Sequence, residues 1–237
     1  MSRFFFVEQL PALSDSPWTA PSELVRHIRA LRLDTGYEIV LLPQNGDGVA
    51  AELLENGDLL LKNVIKRPFL DLPKISIASA WPKGSRGDEL VRRATELGVK
   101  RLIPLSCERS VVGRKELSPS KVARWHKITK EVCQQCRRPD LPLIEGELLN
   151  IKQLASTFSD HLRICLSPGA TPLGQVVAQS DQPILLIVGP EGGFSPAEEQ
   201  QLKDDGAQLA GIGQTILRIE AAGPTALAIA SHSRQSK

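Results

Sequence analysis

The chain has 237 residues, 41% of them hydrophobic, with 29 Lys+Arg against 27 Asp+Glu and four Cys. That length suits one large domain or two small ones with a real core, and a formal net charge of +2 is too small to attract nucleic acid in general, so any RNA or DNA contact has to come from local clusters of Arg and Lys. No apolar run approaches the roughly eighteen residues of a membrane span, Met1 to Glu8 offers no small-residue cleavage site, and scattered Cys make no disulfide scaffold, so a cytoplasmic globular protein is expected.

Up to about residue 70 the pattern is mostly short strands. Phe4 to Val7, Glu38 to Leu42, Val49 to Leu54 and Leu59 to Val64 are apolar or alternating runs. Asn45-Gly46-Asp47-Gly48 and Asn56-Gly57-Asp58 separate the later ones, and Asn-Gly is a strong hairpin signal. One helix interrupts them, with Ser22 as the expected N-cap and Leu24, Val25, Ile28 and Leu31 on one face. Short strands with tight turns predict a small, closed or half-closed β-barrel. The stretch from Lys66 to Pro73, with two prolines, reads as a linker.

From residue 74 onward strands alternate with helices. Ile75 to Ala80 is a strand, and Asp88 is the expected cap of a helix with Leu90, Val91, Ala94 and Leu97 inward and Gly98 at C′. Arg101 to Leu105 is the next strand, and Ser118-Pro119 opens a long helix with Val122, Trp125, Ile128 and Val132 inward. Leu162 to Leu166, Ile184 to Val188 and Ala207 to Ile212 complete the strands. Such alternation predicts an α/β domain with a parallel sheet covered by helices on both faces.

Two segments carry chemistry. Ile184 to Val188 is a strand apolar on both faces, followed by Gly189-Pro-Glu-Gly-Gly193 and by Ser195, Pro196 and Glu198, a capping box opening a helix. A glycine-rich turn at the carboxyl end of a parallel strand is where open α/β sheets bind ligands, though an ordinary strand-to-helix turn looks the same locally. Neither the phosphate-loop motif nor the dinucleotide fingerprint is present. The second segment runs from Gly211-Ile-Gly213 through Arg218 and Glu220 into an Ala-rich helix. Arg218 and Glu220 beside a ligand loop are suited to binding an anionic group and moving a proton; a surface ion pair is the bland alternative. Cys133-Gln-Gln-Cys136 lacks a second ligand pair for zinc and the strand that precedes a thioredoxin-type site, so packing or an inert thiol is expected and no metal. His27, His126, His161 and His232 pair with no nucleophile motif.

Taken together, Val188-Gly-Pro-Glu-Gly-Gly-Phe-Ser195 and Ile212-Gly-x-x-Ile-Leu-Arg-x-Glu220 resemble the RsmE family of 16S rRNA (uracil-N3)-methyltransferases, in the SPOUT superfamily. Arg3-Phe-Phe, His27-Ile-Arg-x-Leu-Arg32, Thr95-Glu-Leu-Gly98, Cys107-Glu-Arg-Ser110 and Gln135-Cys136 with Arg138 and Pro142 fall in family order, so the similarity runs along nearly the whole chain. The resemblance implies a PUA-like, RNA-binding β-barrel over residues 1–72 and a SPOUT methyltransferase domain over 73–237, knotted by a carboxyl-terminal segment threaded through a loop; knots are otherwise nearly absent from proteins. It implies a homodimer acting on uridine N3 of 16S rRNA in the 30S subunit, with S-adenosyl-L-methionine as cofactor.

By family position the cofactor should be lined by Leu166, Ser167, Pro168, Gly189, Pro190, Glu191, Gly192, Ile212, Gly213, Ile216, Leu217 and Arg218. Uracil N3 is protonated at neutral pH and a poor nucleophile, so Arg218 is the expected stabiliser of charge on a uracil oxygen, and Glu220 either orients Arg218 or accepts the proton. A paired or stacked target base would also be turned out of its stack. Arg3, Arg32, Arg86, Arg109 and Arg138 are the expected phosphate contacts, with Arg26, Arg29, Lys83, Arg114, Lys115 and Arg137 as further basic positions. Several positions depart from the family. The first helix is one residue short before Leu31-Arg32. Ser167-Pro-Gly-Ala170 replaces the common His-Pro-Arg-Ala, Thr215 stands where Arg is common, Ala221 where Thr is, and Gln134 where Glu is. The missing arginines permit a SPOUT methyltransferase of another RNA position; a dimeric RNA-binding protein without catalysis is the other alternative, against which the retained Gly189-Pro-Glu-Gly-Gly193, Arg218 and Glu220 argue.

Overall fold

The structure is a computed structural model that describes residues 3–10, 12–14, 16–68, 70–110 and 117–235. Arg114, Lys115 and Phe69 lie outside the described residues. The chain forms two compact units, Met1–Leu70 with Cys133–Leu141, and Asp71–Val132 with Pro142–Lys237.

The first unit contains β1 (Arg3–Phe6), α1 (Ser22–Ala30), β2 (Glu38–Leu42), β3 (Gly48–Leu53) and β4 (Leu59–Ile65). They make a four-stranded sheet in the order β1-β2-β3-β4, with β1 parallel to β2 and the two later pairs antiparallel through the expected Asn-Gly turns. Alternation splits its apolar residues between two faces. Phe5, Ile39, Leu41, Val49, Ala51, Leu53, Leu59 and Leu61 pack with Leu24 and Ile28 of α1 on one. Phe4, Phe6, Val40 and Leu42 pack with Cys133 on the other. An antiparallel bridge joins Trp18 to Leu59, with hydrogen bonds in both directions. Arg67 donates to the Pro43 and Pro139 carbonyls. The helix cap differs from expectation: Pro21, at φ −54 and ψ 142, is the N-cap, and Ser22 is already helical. The carbonyl of Pro21 accepts the first intrahelical bond, from Val25 N at 3.1 Å, and its side chain has no oxygen to cap the helix.

The second unit is α/β. Its elements are β5 (Ile75–Ala80), α2 (Ser85–Glu96), β6 (Arg101–Ser106), α3 (Pro119–Gln135, completed in the first unit from Cys133), β7 (Leu143–Ile144), β8 (Leu149–Asn150), α4 (Ile151–Thr157), β9 (Leu162–Leu166), α5 (Leu173–Ala178), β10 (Ile184–Val188), α6 (Pro196–Asp204), β11 (Gln208–Ala210) and α7 (Ile219–Gln235). The strands lie in the order β11-β9-β10-β5-β6-β7, with β8 also on β6, and every pairing is parallel. Every residue of β5 and β10 is buried, as a sheet covered on both faces requires.

Local chemistry accounts for most boundaries, with two differences. Asp88 does not cap α2. Gly84, at φ 62, is the N-cap, and the Asp88 carboxylate accepts from Trp125 Nε1 at 3.2 Å and Arg124 Nε at 2.8 Å. At the other end Gly98 N donates to Thr95 O and Val99 N to Ala94 O, the paired bonds of a Schellman stop. The box at α6 has both arms, Glu198 N to Ser195 Oγ at 3.3 Å and Ser195 N to Glu198 Oε2 at 2.9 Å. Pro224 lies more than a turn inside α7, so the carbonyl of Glu220 loses its helical amide partner. No helix of the described residues is long and apolar enough to cross a membrane.

Candidate active site

Strands β10, β9 and β11 are neighbours and parallel, so the loops that leave their carboxyl ends share one edge of the sheet. Those loops are Ser167–Thr171, Gly189–Phe194 and Gly211–Arg218. Gly211 N to Thr171 O at 2.8 Å joins the first to the third, flanked by Ser167 N to Ala210 O of β11 and Leu173 N of α5 to Gly211 O, both at 2.9 Å. The second closes on itself through Gly193 N to Pro190 O at 2.8 Å. Glycine is needed at Gly189, where a Cβ would sit 2.9 Å from the Phe194 ring, which is itself buried. Gly189→Ala is therefore expected to cost about 1–3 kcal/mol of stability by overpacking, read as a lower thermal midpoint; an unchanged midpoint would show that the ring moves freely.

A cavity of about 320 Å³ opens between the loops. Of the residues that family position puts around the cofactor, Leu166, Ser167, Pro168, Gly189, Pro190, Glu191, Ile212, Gly213, Ile216 and Leu217 line it. Gly192 and Arg218 do not line it. The carbonyl of Gly192 is turned to Arg109, and Arg218 is exposed, its carbonyl accepting the first-turn amides of Ala221 and Ala222 at 2.9 and 2.8 Å. Glu199, Leu202 and Lys203 also line the cavity and were missed from sequence. Their i, i+3, i+4 spacing on the helix that Ser195 caps is the signal that would have found them. Cys165, Val188, Gly193, Phe194, Leu209, Thr215 and Ala222 complete the wall, Val188 being the last residue of β10.

Glu220 occupies the second position of α7, and its Oε2 is buried with no hydrogen-bond partner among the described residues. A carboxylate suits a helix N-terminus, where the unpaired amides carry partial positive charge. Burying an unpartnered polar atom is nonetheless costly, and the Nε of Arg163 and the Nε1 of Trp81 share that condition.

The expected RNA contacts divide. Arg32 is exposed in a left-handed conformation just after α1, and Arg3 is half-buried in β1. Arg86 ion-pairs with Glu191 at 2.5 Å. Arg109 bonds the glycine loop. Arg138 is only 3% exposed and ion-pairs with Asp140 at 2.9 Å, so it is not presented to a phosphate.

Burial pushes the thiols of Cys107, Cys133 and Cys165 up to about 12. A thiol at that value is not a thiolate nucleophile at neutral pH, and Cys133 is a core residue of the first unit. Among the described residues no three His, Cys, Asp or Glu side chains could together hold a metal ion. Because these folded values lie above the ordinary 9.0, the neutral thiols' contribution to stability is complete below pH 9 and lost as pH rises toward 12. The urea midpoint is expected to fall across that window, and at pH 8 Cys136 should label before the three buried thiols. Uniform labelling of all four at pH 8 would contradict the burial.

Residues 70–231 match the model of a family described as an RNA methyltransferase domain. The Ribosomal RNA small subunit methyltransferase E of Bacillus subtilis is 29% identical over 99% of this chain and 98% of its own length. The protein of that name from Synechocystis is 34% identical, over 84% of this chain and 67% of its own. The solved structure of Ribosomal RNA small subunit methyltransferase E from Neisseria gonorrhoeae, bound to S-adenosyl methionine, is similar at a TM-score of 0.79 and 27% identity, over 96% of each chain.

Proposed function

Since the chain belongs to the RNA methyltransferase domain family and to its ribosomal RNA small subunit methyltransferase E members, we propose that it uses S-adenosyl-L-methionine to methylate N3 of a uridine in 16S rRNA of the 30S subunit, in the cytoplasm. The observation that carries this is the cavity walled by three loops at adjacent strand ends, inside the matched span. The residues present fit the cofactor. Glycines let main chain approach a ligand at Gly189 and Gly213, apolar walls at Ile212 and Leu217 suit an adenine, and the carboxylate of Glu199 suits a cationic ligand. When bound, the cofactor supplies a methyl group on a sulfonium, already an excellent leaving group.

The remaining work falls to the chain's own residues. Apolar walls at the cavity keep water from the reacting centre. The exposed guanidinium of Arg218 is free to reach a uracil oxygen and stabilise negative charge there. Glu220 then has one of two tasks, holding Arg218 or taking the N3 proton. Its Oε2 has no partner, so it is not holding the guanidinium through that atom, and proton acceptance is the task that remains for it. Arg3 and Arg32 remain candidates for phosphate contacts.

We further assign the first unit to the PUA-like RNA-binding barrels, the carboxyl-terminal segment to the SPOUT knot, and the assembly to a homodimer, in which Ile216, 85% exposed, is apolar surface in need of cover. Methylation of another RNA position is a second reading, favoured by Thr215 in the cavity wall where the family often has Arg. The first experiment is calorimetric titration of the protein with S-adenosylmethionine. Saturable one-site binding is expected; no binding would remove the enzymatic reading.

A further inference from the structure

We infer that Arg109 is a positioning residue of the cofactor pocket rather than an RNA contact, an inference that rests on the methyltransferase reading above. After β6 the chain makes a tight turn, with Ser110 N donating to Cys107 O at 3.1 Å and Cys107 N to Ser110 Oγ at 3.2 Å. From that turn Arg109 Nη1 donates to Gly192 O at 3.1 Å and to Phe194 O at 3.2 Å. Glu108 N donates to Glu198 Oε1 at 2.8 Å. The turn is thus docked on the β10–α6 connection by two side chains that run in opposite directions, one from each segment.

The effect on the loop follows from its peptide planes. The Gly192–Gly193 peptide has its carbonyl held by Arg109 and its N–H by Pro190 O at 2.8 Å. The Phe194–Ser195 peptide has its carbonyl held by Arg109 and its N–H by Glu198 Oε2 at 2.9 Å. Both planes are therefore pinned at both ends, which fixes their rotation. Gly193 and Phe194 line the cavity, so fixing those planes sets the shape of the wall that meets the ligand. A Cβ at Gly192 would lie 3.8 Å from the Cβ and Cδ of Arg109, so the arginine stem runs alongside the loop. Arg109 is exposed, and water can replace a lost bond at either carbonyl. Its removal should therefore loosen the wall rather than unfold it.

The test is the pair Arg109→Ala and Arg109→Lys, each compared with the intact protein for S-adenosylmethionine affinity by calorimetry and for 30S affinity and salt dependence by filter binding. Arg109→Ala is expected to weaken cofactor binding about tenfold, or about 1.4 kcal/mol, just below what one hydrogen bond to a charged group contributes, because water replaces part of what is lost. Affinity for 30S and its salt slope are expected to stay unchanged, because no phosphate contact is lost. In turnover the cofactor KM should rise more than kcat falls. Arg109→Lys keeps a donor of reduced reach and should recover part of the lost cofactor affinity. Unchanged cofactor affinity in Arg109→Ala overturns the inference, as does a fall in 30S affinity with a shallower salt slope. Failure of the intact protein itself to bind the cofactor refutes the enzymatic reading and the inference with it, and is distinguishable because it appears before any substitution.

Discussion

Arg218→Ala is expected to lower the single-turnover rate of methyl transfer to 30S subunits by about 10²- to 10³-fold, the usual cost of deleting one donor aimed at developing negative charge. Cofactor affinity and thermal midpoint should stay nearly unchanged, for three structural reasons. Arg218 does not line the cavity, its side chain is exposed, and the contribution it makes to α7 comes from its carbonyl, which alanine keeps. A lost rate with intact binding marks an interaction made only in the transition state. Rapid-quench measurement with excess enzyme separates that step from product release, and full single-turnover activity in the variant would remove Arg218 from the chemistry.

Glu220→Gln is the second substitution with a large expected effect. The amide is nearly isosteric but cannot take a proton, so a fall of about 10²- to 10⁴-fold in the methyl-transfer rate is expected if Glu220 is the base. Stability should move little. The substitution loses at most about 2 kcal/mol of favourable charge at a partly buried helix N-terminus, offset because it relieves burial of a carboxylate oxygen that has no partner. The double variant with Arg218→Ala decides between the two roles. Separate roles make the losses add in logarithm; if Glu220 acted only by holding Arg218, the double variant would be no slower than Arg218→Ala alone.

The fold was legible where local pattern and tertiary demand agree. Strands β2, β5, β9 and β10 have the bounds their apolar runs suggest, and the capping box at Ser195 has both of its bonds. The failures are tertiary or too short to carry a period. Asp88 looks like a cap, but a Trp and an Arg from α3 take its carboxylate, and Gly84 starts the helix earlier. Strands β7 and β8 have two residues each, which is less than one alternation can reveal. The same holds at the site. Glycine loops at strand ends announced the cavity, because few other residues turn so sharply there. Which way each loop residue faces was not legible: Gly192 points its carbonyl at Arg109, and Arg218 leaves the wall. Charge alone did not separate an exposed Arg32 from a buried Arg138 paired with Asp140. The identity of the RNA is carried by family membership, because a cavity about 320 Å³ in volume fits a cofactor and does not by itself specify a base.

The most direct test is methyl transfer from labelled S-adenosylmethionine to 30S subunits that lack 3-methyluridine, followed by nucleoside analysis of the 16S rRNA. Label in 3-methyluridine at a single position, abolished by Arg218→Ala, is the expected result. Label in any other nucleoside, or none at all from protein that binds the cofactor, would contradict methylation at uridine N3.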